Sequence, residues 1–145
     1  MTLAERLTAP CGLYCGVCPC YKAQTNRDLA EKIASRLELA VEDCICSGCR
    51  TQRGRIGVMG EPVCETYDCC VDKKRLDFCY QCSDFPCSKL APCAERAAEI
   101  PHNTKIYNLL LIQKEGVESL AKNADNLHRR YFRGSKVRPG GEPQL

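Results

Sequence analysis

The sequence predicts a small, metal-stabilised, mainly α fold with irregular zinc-knuckle loops, in which a cysteine-rich head is followed by a helical tail. Three observations carry this expectation. Of 145 residues, 14 are cysteine, and all of them fall between residues 11 and 93. Leu, Ile, Val and Phe together make up about a fifth of the chain, and tryptophan is absent. A chain this poor in large apolar side chains needs a staple besides burial. Finally, apolar residues recur at helical spacing before and after the densest cysteine stretch, but not within it. The length fits a single domain over 1–133, with a metal-binding head at 8–93, a helical part at 94–133 and a disordered tail at 134–145.

The first periodic segment is NRDLAEKIASRLELA. Leu29, Ile33 and Leu37 stand at i, i+4 and i+8, with Asn26 or Asp28 placed to cap the helix. From Cys44 to Asp84 the chain is rich in Gly, Cys and charge and has no helical period, which predicts loops and tight turns, with room for a two-stranded ribbon. SKLAPCAERAAEI reads as a short helix whose second half begins at Pro92. NTKIYNLLLIQKEG reads as a helix capped by Asn103 and ended near Gly116. In GVESLAKNADNLHRRYF, Val117, Leu120, Ala121, Ala124, Leu127 and Tyr131 form one apolar stripe. GSKVRPGGEPQL has the composition of a disordered tail.

Several classes are excluded. The longest aliphatic run, Leu109 to Ile112, is far short of the roughly 20 residues of a membrane span. MTLAERLTAPCG lacks the basic and apolar regions of a secretory signal. Taken as the start of the chain, it predicts a cytoplasmic protein, where thiols stay reduced and dense cysteines read as metal ligands. The net charge of +3 would fall to about −1 with eight thiolates on two divalent ions, so it is no signal for nucleic acid.

Three Cys-x-x-Cys pairs stand out: Cys15/Cys18, Cys46/Cys49 and Cys79/Cys82. Two intervening residues let both sulfurs of a tight turn face one ion, with Zn–S near 2.3 Å. Gly16 and Gly48 sit where such a turn favours unusual φ. Two pairs make one tetrahedral four-cysteine site. Cys11-x₃-Cys15-x₂-Cys18 also has the spacing of the cluster loop in radical S-adenosylmethionine enzymes. The chain cannot supply their barrel, so that spacing keeps only a 4Fe–4S cluster as the alternative to zinc.

CGLYCGVCPCY at 11–21, CSGCR at 46–50, CETYDC at 64–69 and FCYQCSDFPCSKL at 78–90, with the later LIQKEGVESLAK, resemble in order the family called domain of unknown function 3795. Its members are small cysteine-rich proteins held to bind metal. The resemblance implies a ligand set of Cys11, Cys15, Cys18, Cys46, Cys49, Cys64, Cys69, Cys79, Cys82 and Cys87. Ten cysteines exceed two four-cysteine sites, leaving two surplus or a third, partial site. Cys20, Cys44, Cys70 and Cys93 fall outside the pattern and read as ordinary, partly buried thiols, although Cys70 offers a substitute ligand beside Cys69. As a pairing we expect 46/49 with 64/69, and 15/18 with 79/82.

No catalytic fingerprint is present. His102 and His128 lie in the cysteine-free half and read as a loop residue and a polar-face residue. A dithiol redox enzyme would want a βαβ context that the chain lacks. Arg50, Arg53 and Arg55, the cluster Lys73-Lys74-Arg75, and Arg129, Arg130 and Arg133 beside Tyr131 and Phe132 are the candidate phosphate contacts. The pI of about 8.2 falls below the usual nucleic-acid signal of about 9. Tyr14, Tyr21, Tyr67, Phe78, Tyr80 and Phe85 flank the cysteines and read as a miniature core shielding the thiolates. The expected function is a non-catalytic, zinc-binding interaction or accessory module with a protein partner. An iron–sulfur electron-transfer or sensor protein and a nucleic-acid-binding zinc protein are the alternatives.

Overall fold

The computed structural model describes residues 1–60, 63–92 and 104–133. The chain is mainly helical, and among the described residues the only β pairing is an isolated antiparallel bridge between Thr8 and Tyr14. The α-helices among the described residues are α1 (Leu3–Leu7), α2 (Pro19–Lys22), α3 (Arg27–Leu37), α4 (Glu65–Tyr67), α5 (Lys105–Glu115) and α6 (Val117–Arg133). Short 3₁₀ turns join them, and a π-helical segment, Asp68–Lys73, continues α4. None of the described helices is long and apolar enough to cross a membrane.

Local sequence explains most of these elements. Asn26 caps α3 by accepting from the Leu29 N–H at 3.0 Å, while Ala30 and Ala34 supply its buried stripe. Helix α5 ends at Gly116, whose φ of 90° releases the chain into α6. Along α6, Leu120, Ala124 and Leu127 are buried, as the stripe predicts. Helix α1 was not expected. It is set by a capping box in which Thr2 Oγ1 accepts from the Glu5 N–H and Glu5 accepts from the Thr2 N–H at 2.6 Å.

Other expectations are corrected. Among its described residues the 44–84 stretch forms no ribbon, and in its third cysteine group Cys64 caps α4 while Cys69 and Cys70 lie on the π-helical segment. Around Pro92 the described part is a 3₁₀ turn, Ser88–Leu90, and the rest of that expected helix lies outside the described residues. So do Cys93, His102, Asn103 and the tail from 134. Gly48 has φ of 100°, but Gly16 has no positive φ and instead makes room for the Tyr14 ring, 2.5 Å from where its Cβ would lie.

One apolar cluster unites head and tail. Leu109 and Ile112 of α5 and Leu120 and Leu127 of α6 join Cys11, Cys49, Cys70, Cys79, Tyr67, Phe78 and Leu90. Helix α5 packs on the Cys79–Gln81 turn, and α6 packs on the Cys15–Val17 turn and on α1. Asn108 of α5 donates to the Gly12 carbonyl at 2.9 Å. The tail is therefore the lid over the cysteine turns.

Candidate functional site

Each Cys-x-x-Cys pair forms a 3₁₀ or tight turn whose backbone N–H groups face sulfur. The Gly48 N–H donates to Cys46 Sγ and the Asp84 N–H to Cys82 Sγ, both at 3.4 Å. The backbone N–H groups of Leu13 and Cys20 face Cys11 and Cys18 in the same i+2 pattern, and that of Cys49 faces Cys15. Such amides stabilise a thiolate over a thiol.

The ten cysteines marked by the family resemblance, with Cys70 beside them, gather in two neighbourhoods that Cys11 links, since Cys11 also acts on Cys79. In the first, Cys49 neighbours Cys11, Cys15 and Cys64, while Cys11 also neighbours Cys64 and Cys15. Cys18 and Cys46 lie beside Cys15 in the same neighbourhood. In the second, Cys69, Cys70, Cys79, Cys82 and Cys87 line one cavity of about 180 Å³, together with Lys74, Asp84 and Leu90. The Cys46–Cys49 turn lies beside the Cys15–Cys18 turn, where the Cys46 N–H donates to the Cys20 carbonyl at 3.0 Å. Cys79/Cys82 closes against the third and fourth cysteine groups. Cys64 also raises the Cys49 thiol by its charge.

Burial and nearby charge set the sulfur chemistry. Burial pushes the Cys15 thiol up to about 11 and raises Cys49 and Cys11 as well. At Cys11 the buried Lys105 ammonium opposes that rise. The Cys20 thiol donates to the Cys18 sulfur, holding Cys18 down to about 6 and raising Cys20. Likewise Cys79 donates to Cys70, which lowers Cys70 and raises Cys79. At the cavity rim, Lys74 Nζ donates to Cys82 Sγ at 2.9 Å and to Asp84 Oδ2 at 2.5 Å. Sequence reasoning did not single out Lys105, Lys74 or Cys20 as members of these clusters, and it offered Cys70 only as a substitute ligand beside Cys69. The Cys18-Pro-Cys20 and Cys69-Cys70 adjacencies were the available signals.

Among the described residues, no group of three or more His, Cys, Asp or Glu side chains is arranged, as it stands, to hold a metal ion. The donor chemistry nonetheless fits a soft or borderline cation.

The family described as protein of unknown function (DUF3795) matches residues 7–92, more than half of the chain. The chain belongs to this family. Both cysteine neighbourhoods lie inside the matched segment, whereas α5 and α6 lie beyond it. No curated protein and no solved structure matches the chain. The DUF3795 description carries no activity, so the reading of function rests on the cysteine geometry.

The arginines considered for phosphate contact are differently placed. Arg50 Nε donates to the Thr8 carbonyl at 2.7 Å, its terminal nitrogen donates to the Asp77 carbonyl at 2.6 Å, and the guanidinium covers Phe78. Arg53 pairs with Asp72 at 3.7 Å, and Arg129 bonds Asn126. The side chain of Arg133 lies outside the described residues.

Proposed function

We propose that this DUF3795 protein is a non-catalytic zinc-binding module with two four-cysteine centres that hold the fold in place for an interaction or accessory role. The first centre is Cys11, Cys15, Cys49 and Cys64. The second is Cys69, Cys79, Cys82 and Cys87. The observation that carries the reading is the cavity into which cysteines from two sequence groups converge beside Lys74. Hydrolytic zinc sites need His or carboxylate ligands and an open position, and these donor sets are all thiolate. The metal would supply folding free energy on the order of 10 kcal/mol per site, which suits a chain with so little aliphatic core.

The chain's own residues supply the rest. The i+2 amides orient the sulfurs, Lys105 and Lys74 offset negative charge, and α5 lays Leu109 against Gly12 beside Cys11. A polyanion-binding reading draws less support, since Arg50 is committed to internal carbonyls. The test is metal analysis and an absorption spectrum on anaerobically purified protein. Two zinc per chain without a visible band supports the reading. Iron with acid-labile sulfide replaces it with the iron–sulfur alternative.

A further inference from the structure

Lys74, Cys82 and Asp84 meet at the rim of the cavity that the third and fourth cysteine groups line. Lys74 closes the π-helical segment, its N–H donating to the Cys69 carbonyl at 3.0 Å. Its ammonium donates to Cys82 Sγ at 2.9 Å and to Asp84 Oδ2 at 2.5 Å, so the carboxylate holds the nitrogen against the sulfur. The Asp84 N–H donates to the same sulfur at 3.4 Å, and the Phe85 N–H donates to the Cys82 carbonyl at 3.1 Å. These bonds fix the turn that carries Cys82 and Asp84. Lys89, the other lysine of the cavity wall, is drawn away to Glu65 Oε2 at 3.1 Å. The pair is reachable, since the Lys74 side chain is 36% exposed and Cys82 is half-buried. The cavity of about 180 Å³ has room for a diatomic molecule. Leu76, Phe85 and Leu90 give it apolar walls, which an uncharged, apolar gas enters without penalty.

We infer that Lys74 and Cys82 form an oxidative modification site, at which dioxygen joins Nζ to Sγ through one oxygen atom, and that this N–O–S bridge releases zinc from the second centre. The ammonium–thiolate pair and one dioxygen give the bridge and one water. The O–O bond and two N–H bonds break, N–O and O–S bonds form, and both hydrogens leave with the second oxygen. Dioxygen takes four electrons, two from nitrogen and two from sulfur, so the step needs no other reactant. A thiolate oxidised on its own goes to sulfenic acid and then to a disulfide. Here its hydrogen-bond partner is an amine, and one atom inserted between groups already 2.9 Å apart asks little movement of either. The bridged sulfur is no longer a thiolate ligand, and three remaining sulfurs do not complete a structural zinc site. The zinc release rests on the two-centre reading, whereas the bridge itself does not.

The test divides anaerobically purified, full-length protein into an anoxic half and a half exposed to air-saturated buffer, each with a chromophoric zinc chelator. Intact mass and peptide mapping without reductant follow. The air-exposed half is expected to gain about 14 Da, one oxygen gained and two hydrogens lost, with Lys74 and Cys82 cross-linked. It should release one zinc ion in step that the anoxic half keeps, and excess dithiol should undo the cross-link. Lys74→Arg keeps a cation beside Asp84, but its guanidinium stays protonated, so it should not gain the 14 Da. A loss of about 2 Da from a disulfide, or a gain of about 16 or 32 Da on cysteine alone, would overturn the inference. So would an unchanged mass, a cross-link to Lys89, or the same gain on Lys74→Arg. A cross-link without loss of bound zinc would overturn the regulation. Protein isolated without zinc that still forms the Lys74–Cys82 cross-link would uphold the bridge and defeat the two-centre reading alone.

Discussion

The guanidinium of Arg50 stands 4.8 Å from the centroid of the Phe78 ring while donating to the carbonyls of Thr8 and Asp77. One side chain thus ties the N-terminal segment, the second cysteine turn and the approach to the fourth cysteine group. Phe78 in turn stacks with Tyr80, with ring centroids 5.8 Å apart and planes within 13°. We expect Arg50→Ala to destabilise the zinc-loaded protein by on the order of 2 kcal/mol, since two charge-assisted hydrogen bonds and a cation–π contact are lost. Arg50→Lys should recover little of this, because an ammonium cannot span both carbonyls as a planar fork does. Denaturant unfolding checks the size, and an unchanged zinc count would show that the effect is on packing.

A second prediction concerns the lid. Gly12 has φ of 87°, and a Cβ there would lie 2.9 Å from both Leu109 Cγ and the Lys105 carbonyl oxygen. Gly12→Ala combines left-handed strain with overpacking against α5, so we expect a loss on the order of 2–3 kcal/mol. Hydrogen exchange should show α5 amides losing protection before those of α3.

How much of this was legible in the sequence depends on the range of the interaction. Helices α3, α5 and α6 follow from local periodicity and from signals such as Asn26 and Gly116, and those held. Thr2-Leu-Ala-Glu5 was an equally local capping-box signal and was overlooked. The three Cys-x-x-Cys turns were visible, but their grouping was not. It is decided by the Cys46–Cys20 backbone bond and by α5 settling on the Cys79–Gln81 turn, contacts between segments far apart in sequence. For the same reason Arg50 read as a free cation, because its acceptors lie 42 and 27 residues away.

A third prediction is a pH dependence. Cys15 titrates at about 11 in the folded chain against 9.0 for an ordinary thiol, because burial disfavours its thiolate. The raised value means the native state holds its proton longer than the unfolded state. In the metal-free, reduced protein the contribution of Cys15 should therefore be full below pH 9 and fall by on the order of 2 kcal/mol as pH rises toward 11. In the zinc-loaded protein the ligand thiols are already ionised, so this alkaline loss should vanish. Thermal unfolding of both forms across that range is the check.

A fourth prediction isolates the second centre. Lys74 Nζ holds Cys82 Sγ at 2.9 Å, so Lys74→Met should weaken one of two zinc ions by about 10-fold or more. The other zinc ion, held at the first centre, should be unaffected. Competition with a zinc chelator resolves the two.

The most direct measurement of the central claim is a Co(II) titration of the reduced, metal-free protein followed by absorption. We expect saturation at two equivalents, with intense ligand-field bands in the red and sulfur-to-cobalt charge transfer in the near ultraviolet, the signature of tetrahedral thiolate coordination. A weak, six-coordinate spectrum with no stoichiometric break would contradict the account.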